Sequence, residues 1–110
     1  MVEEIISKIE GRIRGSETVD ESRRGELLKL LGQLRGEISA LSKTNQAQAE
    51  SIASCAAAST HEAIRPDKNP DSLKQSVGEL ESSVGDFEDT HPQLTAVVNR
   101  IASMLANMGI

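Results

Sequence analysis

Aromatic residues are nearly missing from this 110-residue chain: they make up 1% of it, Phe87 is the single example, and tryptophan and tyrosine do not occur. β-sandwiches favour aromatic and β-branched strand residues, so the deficit speaks against them. Cysteine occurs once, at Cys55, which excludes an intrachain disulfide. The two histidines, His61 and His91, lie far apart, and His61-Glu62 has no second ligand at helical spacing, so no metal site is expected. A glycine-rich phosphate loop is missing, and no cofactor is expected. A basic excess is missing too. The net charge of −5 argues against nucleic acid as a partner, because that binding depends on neutralising phosphates. No apolar run approaches the ~20 residues of a membrane span. The start, Met1-Val-Glu-Glu, lacks the basic and apolar regions of a signal peptide. The expectation is a soluble cytoplasmic protein with no membrane contact.

What is present is aliphatic. Hydrophobic residues form 37% of the chain, chiefly Ile, Leu, Val and Ala, a composition suited to helix-on-helix packing. The length is that of one domain, long enough for a modest core. Acid is concentrated in the third quarter, where Asp67, Asp71, Glu79, Glu81, Asp86, Glu88 and Asp89 face only Arg65, Lys68 and Lys74. Such a face is usually just solvated.

Hydrophobic spacing predicts an all-α domain over 1–110. A first helix, about 2–14, carries Val2, Ile5, Ile6, Ile9 and Ile13, with Glu3 and Glu4 at its start and Arg12 and Arg14 at its end, as the helix dipole favours. It is short enough to be marginal alone, so its isoleucines must dock. A polar turn follows, in which Thr18 with Glu21 fits a capping box and Asp20 is a rival cap. A second helix is expected over about 20–63. Leu27, Leu31, Leu34, Ile38 and Leu41 form a coiled-coil seam. That seam continues either through Asn45, Gln48, Ile52, Cys55 and Ser59, or after a phase shift through Asn45, Ala49, Ile52, Ala56 and Ala63. Pro66 and Pro70 place a turn at 64–71, with Asn69 as N-cap. A third helix, about 70–88, carries Leu73, Val77, Leu80, Val84 and Phe87. Thr90 with Gln93 makes another capping box, and a fourth helix, about 91–108, carries Leu94, Val98, Ile101, Leu105 and Met108. Gly109 reads as its stop, with Ile110 packing back on Leu105.

The stretch Phe87-Glu-Asp-Thr-His-Pro-Gln-Leu94, followed by an apolar helix ending Leu105-Ala-Asn-Met-Gly-Ile110, resembles a family of short bacterial proteins known only as domain of unknown function 4404. Asp20 and Leu27–Leu31 resemble it more loosely, and residues 43–65 look like an expansion of its pattern. The resemblance implies a small helical bacterial protein. It implies no activity, cofactor or catalytic residue.

No constellation of catalytic side chains is evident. Cys55 among alanines reads as a small buried hydrophobe before it reads as a nucleophile. His91 reads as a local capping residue. The glycines are less ordinary. Gly25, Gly32, Gly36, Gly78 and Gly85 lie within predicted helices, where each costs about 1 kcal/mol against alanine. They are either tolerated drift or the mark of close approach by the first helix or a second subunit.

Folding the chain at Pro66-Asp67 sets 94–108 beside 26–40 and 73–87 beside 47–61. In that antiparallel hairpin the stripe Leu73, Val77, Leu80, Val84, Phe87 faces a polar and alanine-rich arm, and exposed apolar stripes mark interaction surfaces. Self-association, with a dimer favoured, is therefore expected through Leu73, Val77, Leu80, Val84, Phe87, Asn45 and Ile52. The expected function is non-catalytic protein interaction, with itself or with an unidentified protein partner. An apolar ligand held between helices is the alternative, and an enzyme using Cys55 ranks last.

Overall fold

A continuous helix over 20–63 would be about 66 Å long at 1.5 Å per residue. The longest dimension of the protein, in a computed structural model that describes residues 2–108, is 38 Å. The chain therefore turns back inside the predicted second helix. Five α-helices result among the described residues: α1 (Val2–Gly15), α2 (Glu21–Ser42), α3 (Gln46–Ile64), α4 (Pro70–Ser83) and α5 (Pro92–Met108), with a 3-10 turn at Gly85–Phe87. The fold class is all-α, as the spacing predicts.

The turn between α2 and α3 corrects the sequence reading, and its cause is local. Lys43 and Thr44 close α2 with backbone bonds to Ala40 and Leu41 carbonyls, and Asn45 then leaves helical geometry at φ −152 and ψ 80. Its side chain accepts from Gln48 N at 3.2 Å, an N-cap of the Asn-x-x-Gln kind. Asn45 is thus a cap at an exposed corner and not a seam residue.

Side-chain bonds fix the helix directions. Thr18 Oγ1 donates to the Ile64 carbonyl at 2.6 Å, so the end of α3 returns to the start of α2. Ser59 Oγ donates to the Ser76 carbonyl at 2.9 Å, pairing α3 with α4, and Lys68 Nζ donates to the Met108 carbonyl at 2.7 Å, tying the end of α5 to the α3–α4 corner. Helices α2 to α5 run up, down, up, down, each packed on the next, with α5 closing on α2. Both antiparallel pairings expected about Pro66 hold. The added turn folds one pair onto the other and closes a four-helix core.

Helix α1 lies outside that ring, against α2 and α3. Its apolar face, Val2, Ile6, Ile9 and Ile13, is buried, and each such side chain contributes roughly 1.5–3 kcal/mol on burial. Glu10 and Ser7 meet Arg35 of α2, and Glu3 accepts from Ser39 Oγ at 2.9 Å. The corner that follows is held by Arg24, which donates to the carbonyls of Ile13 (3.3 Å), Ser16 (2.8 Å) and Val19 (2.9 Å). Asp20, accepting from Arg23 N at 2.8 Å, is the α2 cap, in preference to Thr18.

Two further boundaries differ from expectation. The predicted third helix, 70–88, ends at Ser83, and the break before the last helix starts at Val84, earlier than expected, and runs through the 3-10 turn to His91. Thr90 does not cap α5: its hydroxyl bonds His91 Nδ1 at 3.0 Å, and the His91 carbonyl receives Thr95 N at 3.1 Å. Asn69 does cap α4, accepting from Asp71 N and Ser72 N, with Pro70 in the first turn. The expected Gly109 stop and its Ile110 contact lie outside the described residues.

Candidate functional site

The residues expected to form an exposed interface are mostly core. Leu73, Val77, Leu80, Val84 and Ile52 are buried within the single chain, with Leu80 and Ile52 at 0% exposure. The back-folding of α2/α5 onto α3/α4 supplies the cover that a two-arm hairpin lacks. Phe87 is half-buried in the 3-10 turn, edge-on to His91 with ring centroids 5.5 Å apart. Asn45 sits at the opposite end of α3 from the α3–α4 corner and joins none of them. The stripe is therefore not a surface. Nor does α1 need to reach it, because its isoleucines occupy the α2/α3 groove.

Cys55 lies half-buried on α3 in a small open hollow of about 210 Å3 with Ser51, Ser54, Ser76 and Glu79. Burial, and then the nearby Glu79 charge, push its thiol pKa above the ordinary value. A nucleophilic cysteine needs the opposite shift. A larger hollow of about 760 Å3 opens where the ends of α1 and α3 meet the α1–α2 corner, with Arg12, His61, Arg65 and Glu17 on its walls. Arg65 is engaged there. It bonds Asp67 at 3.4 Å and Glu62 at 3.3 Å, and the Asp67 hydrogen bond is the main reason its own pKa rises while that of Asp67 falls. Basic side chains at two helix C-termini also complement the dipoles, which accounts for their placement without a ligand. Among the described residues no group of three His, Cys, Asp or Glu is arranged to hold a metal ion, and no helix is long and apolar enough to cross a membrane.

The outer face of α2 is the surface that the chain's own packing leaves unexplained. Gly25, Gly32, Gly36 and Ala40 fall on one exposed stripe, with Lys29 the long side chain among them. A Cβ placed on any of the three glycines would meet no heavy atom within 4 Å. Close approach by α1, one of the two uses expected for them, is thereby excluded. On the α5 side of this stripe a hollow of about 330 Å3 lies between Glu26 and Leu30 of α2 and Asn99, Arg100, Ser103 and Met104 of α5. The sequence singled out the glycines by their place inside predicted helices; the hollow needed the α2–α5 register to be visible.

No curated protein and no solved structure matches the chain. One family model does, over residues 27–110, a span that begins within α2, takes in all of α3, α4 and α5, and leaves α1 outside. It includes both the Phe87–Ile110 stretch and residues 43–65. The chain thus belongs to the family described as a domain of unknown function, DUF4404.

Proposed function

We propose that this chain acts by contact, as a small non-catalytic helical protein that pairs with a second copy of itself through the outer face of α2. The glycine stripe carries this reading. Three interior helix glycines each cost about 1 kcal/mol against alanine, and nothing in the monomer fills the space they leave. Of the two readings left to them, tolerated drift and close approach by a second subunit, the second gives the three a physical use, since glycine lets another backbone come near. The neighbouring hollow, with half-buried Met104 in it, offers such a partner an adaptable apolar contact. The reading assumes a reducing cytoplasmic setting, in keeping with the free Cys55 thiol. The net charge of −5 keeps nucleic acid out of it.

Substitution tests it with opposite signs. Gly32→Ala and Gly36→Ala should each stabilise the monomer by about 1 kcal/mol, because alanine favours helix. Gly32→Leu should also hold the helix but block close approach. Light scattering at micromolar concentration should give twice the chain mass for the wild type and the chain mass for Gly32→Leu. A wild type that stays monomeric, or a Gly32→Leu variant that still pairs, overturns the reading.

A further inference from the structure

The ring of α2 to α5 is complete without α1. Each of its four helices packs on two ring neighbours, and α1 touches only α2 and α3 among the described elements. Helix α1 is also outside the family match, while the core of the groove-forming helices is within it. A helix of 14 residues is too short to be stable alone, so α1 is helical because the groove makes it so. It behaves, in structural terms, as an amphipathic peptide seated in a binding groove and tethered by one short corner.

From this arrangement we infer that the α2/α3 groove is a helix-docking site, filled in cis by α1 in the folded chain, and that the α1 of a second copy fills it in trans by arm exchange when chains fold together. The seat is fully specified in the structure. Ile6, Ile9 and Ile13 enter it at 0%, 1% and 0% exposure. Arg35 reads the polar edge of the incoming helix through Glu10, Ser7 and the Glu3 carbonyl, and Ser39 reads the Glu3 carboxylate. An identical helix from another chain brings the same isoleucines and the same acids. Exchange of an identical element makes every contact of the groove again, so its net cost is the opening of the corner and the freedom lost on joining two chains. That corner is held by the three Arg24 bonds and by Thr18 on the Ile64 carbonyl. This surface is distinct from the glycine face of α2, which points away from α1.

Charge reversal in the full chain tests the inference. Glu10→Arg spoils the arm and leaves the groove intact; Arg35→Glu spoils the groove and leaves the arm intact. Each alone should melt about 4–8 °C below the wild type, the shift expected for roughly one lost kcal/mol in a domain near this size. Unfolded and refolded together, the two variants form matched arm–groove pairs only in trans. The mixture should melt near the wild type and contain a 1:1 heterodimer. The chain carrying both changes should recover in cis. A mixture that melts as the superposition of its two components overturns arm exchange, and so do single variants that melt with the wild type. Pairing through the glycine face would appear equally in every one of these samples, so the two readings fail separately. Amide exchange on the wild type covers the case in which a variant does not fold. Amides of α1 should open ahead of those in α2 to α5, and α1 opening only with the whole chain overturns the inference.

Discussion

The hydroxyl of Ser59 on α3 donates to the backbone carbonyl of Ser76 on α4 at 2.9 Å, with Ser59 at 0% exposure. This bond explains how a polar residue sits on an otherwise alanine-rich packing face. It also fixes the register of the α3–α4 pair. Ser59→Ala should lower stability by about 0.5–1.5 kcal/mol, the usual net worth of one such bond, because no buried donor is left behind. Ser59→Leu should lower it by about 1–3 kcal/mol through overpacking. Urea unfolding of the two variants checks both, and a Leu variant as stable as the wild type would mean that α3 and α4 are less closely packed than this.

Burial of the α4 stripe changes what its substitutions should do. Leu80 and Val84 stand at 0% and 1% exposure inside one chain. Leu80→Ala should therefore cost about 2–5 kcal/mol as a cavity mutation, at any protein concentration. Leu80→Glu should abolish cooperative unfolding, not release a folded monomer. A folded, monomeric Leu80→Glu chain in circular dichroism and light scattering would restore the stripe as an interface.

The caps divide into two classes. Asn69 and Asn45 each hold backbone N–H groups of a first turn, so alanine at either should cost about 0.5–2 kcal/mol. Thr90 is exposed and bonds only the neighbouring imidazole, so Thr90→Ala should change stability by no more than about 0.5 kcal/mol. Thermal melts of the three variants separate the classes.

The helix class and the antiparallel pairings were legible because the Leu27–Leu41 and Leu94–Met108 stripes have unambiguous period and Pro66 breaks the chain between them. The α2–α3 corner was hidden because Ala, Gln and Lys favour helix on both sides of it and neither Gly nor Pro marks it. Its one signal was Asn45 with Gln48, a cap pattern that also fits a polar seam. Missing that corner left α4 without cover, and the expected interface followed from the missing cover. The contact face proposed for α2 was half legible for a related reason: the sequence sets Gly25, Gly32 and Gly36 inside one predicted helix, but only three-dimensional packing shows that α1 sits elsewhere.

Cys55 offers a check by pH. Burial and then Glu79 raise its thiol pKa, so the folded chain holds the thiol proton to higher pH than the unfolded chain does. The sign follows: this contribution to stability is present below the ordinary thiol pKa and is lost as pH rises through the raised value. Labelling of Cys55 by a disulfide reagent should be slow at neutral pH and accelerate only in alkali. Glu79→Gln should move that acceleration to lower pH, and burial should keep it above that of a free thiol. Fast labelling at neutral pH would mark a thiolate and favour a reactive cysteine.

Arg24 should be the most consequential charged residue of the chain. Its guanidinium serves three carbonyls at once, from the last turn of α1, from Ser16 and from Val19, so it joins α1 to α2 through the backbone of the corner between them. Arg24→Met keeps much of the stem's packing and removes all three bonds. Hydrogen bonds to charged groups are worth about 1.5–3 kcal/mol, and because these three act as a unit the variant should lose about that much in total. Arg24→Lys retains the charge but not the planar fork, and should recover only part of the loss. Arg23→Met is the control. Arg23 is exposed and 3.9 Å from Asp20, a pair of the kind that contributes little. Denaturant unfolding ranks the three, and amide exchange locates the effect: faster opening should be confined to α1 and residues 16–20 in Arg24→Met. Equal losses for Arg24→Met and Arg23→Met would show that the corner is held by its apolar contacts, Val19 and Ile13 foremost, and not by the guanidinium.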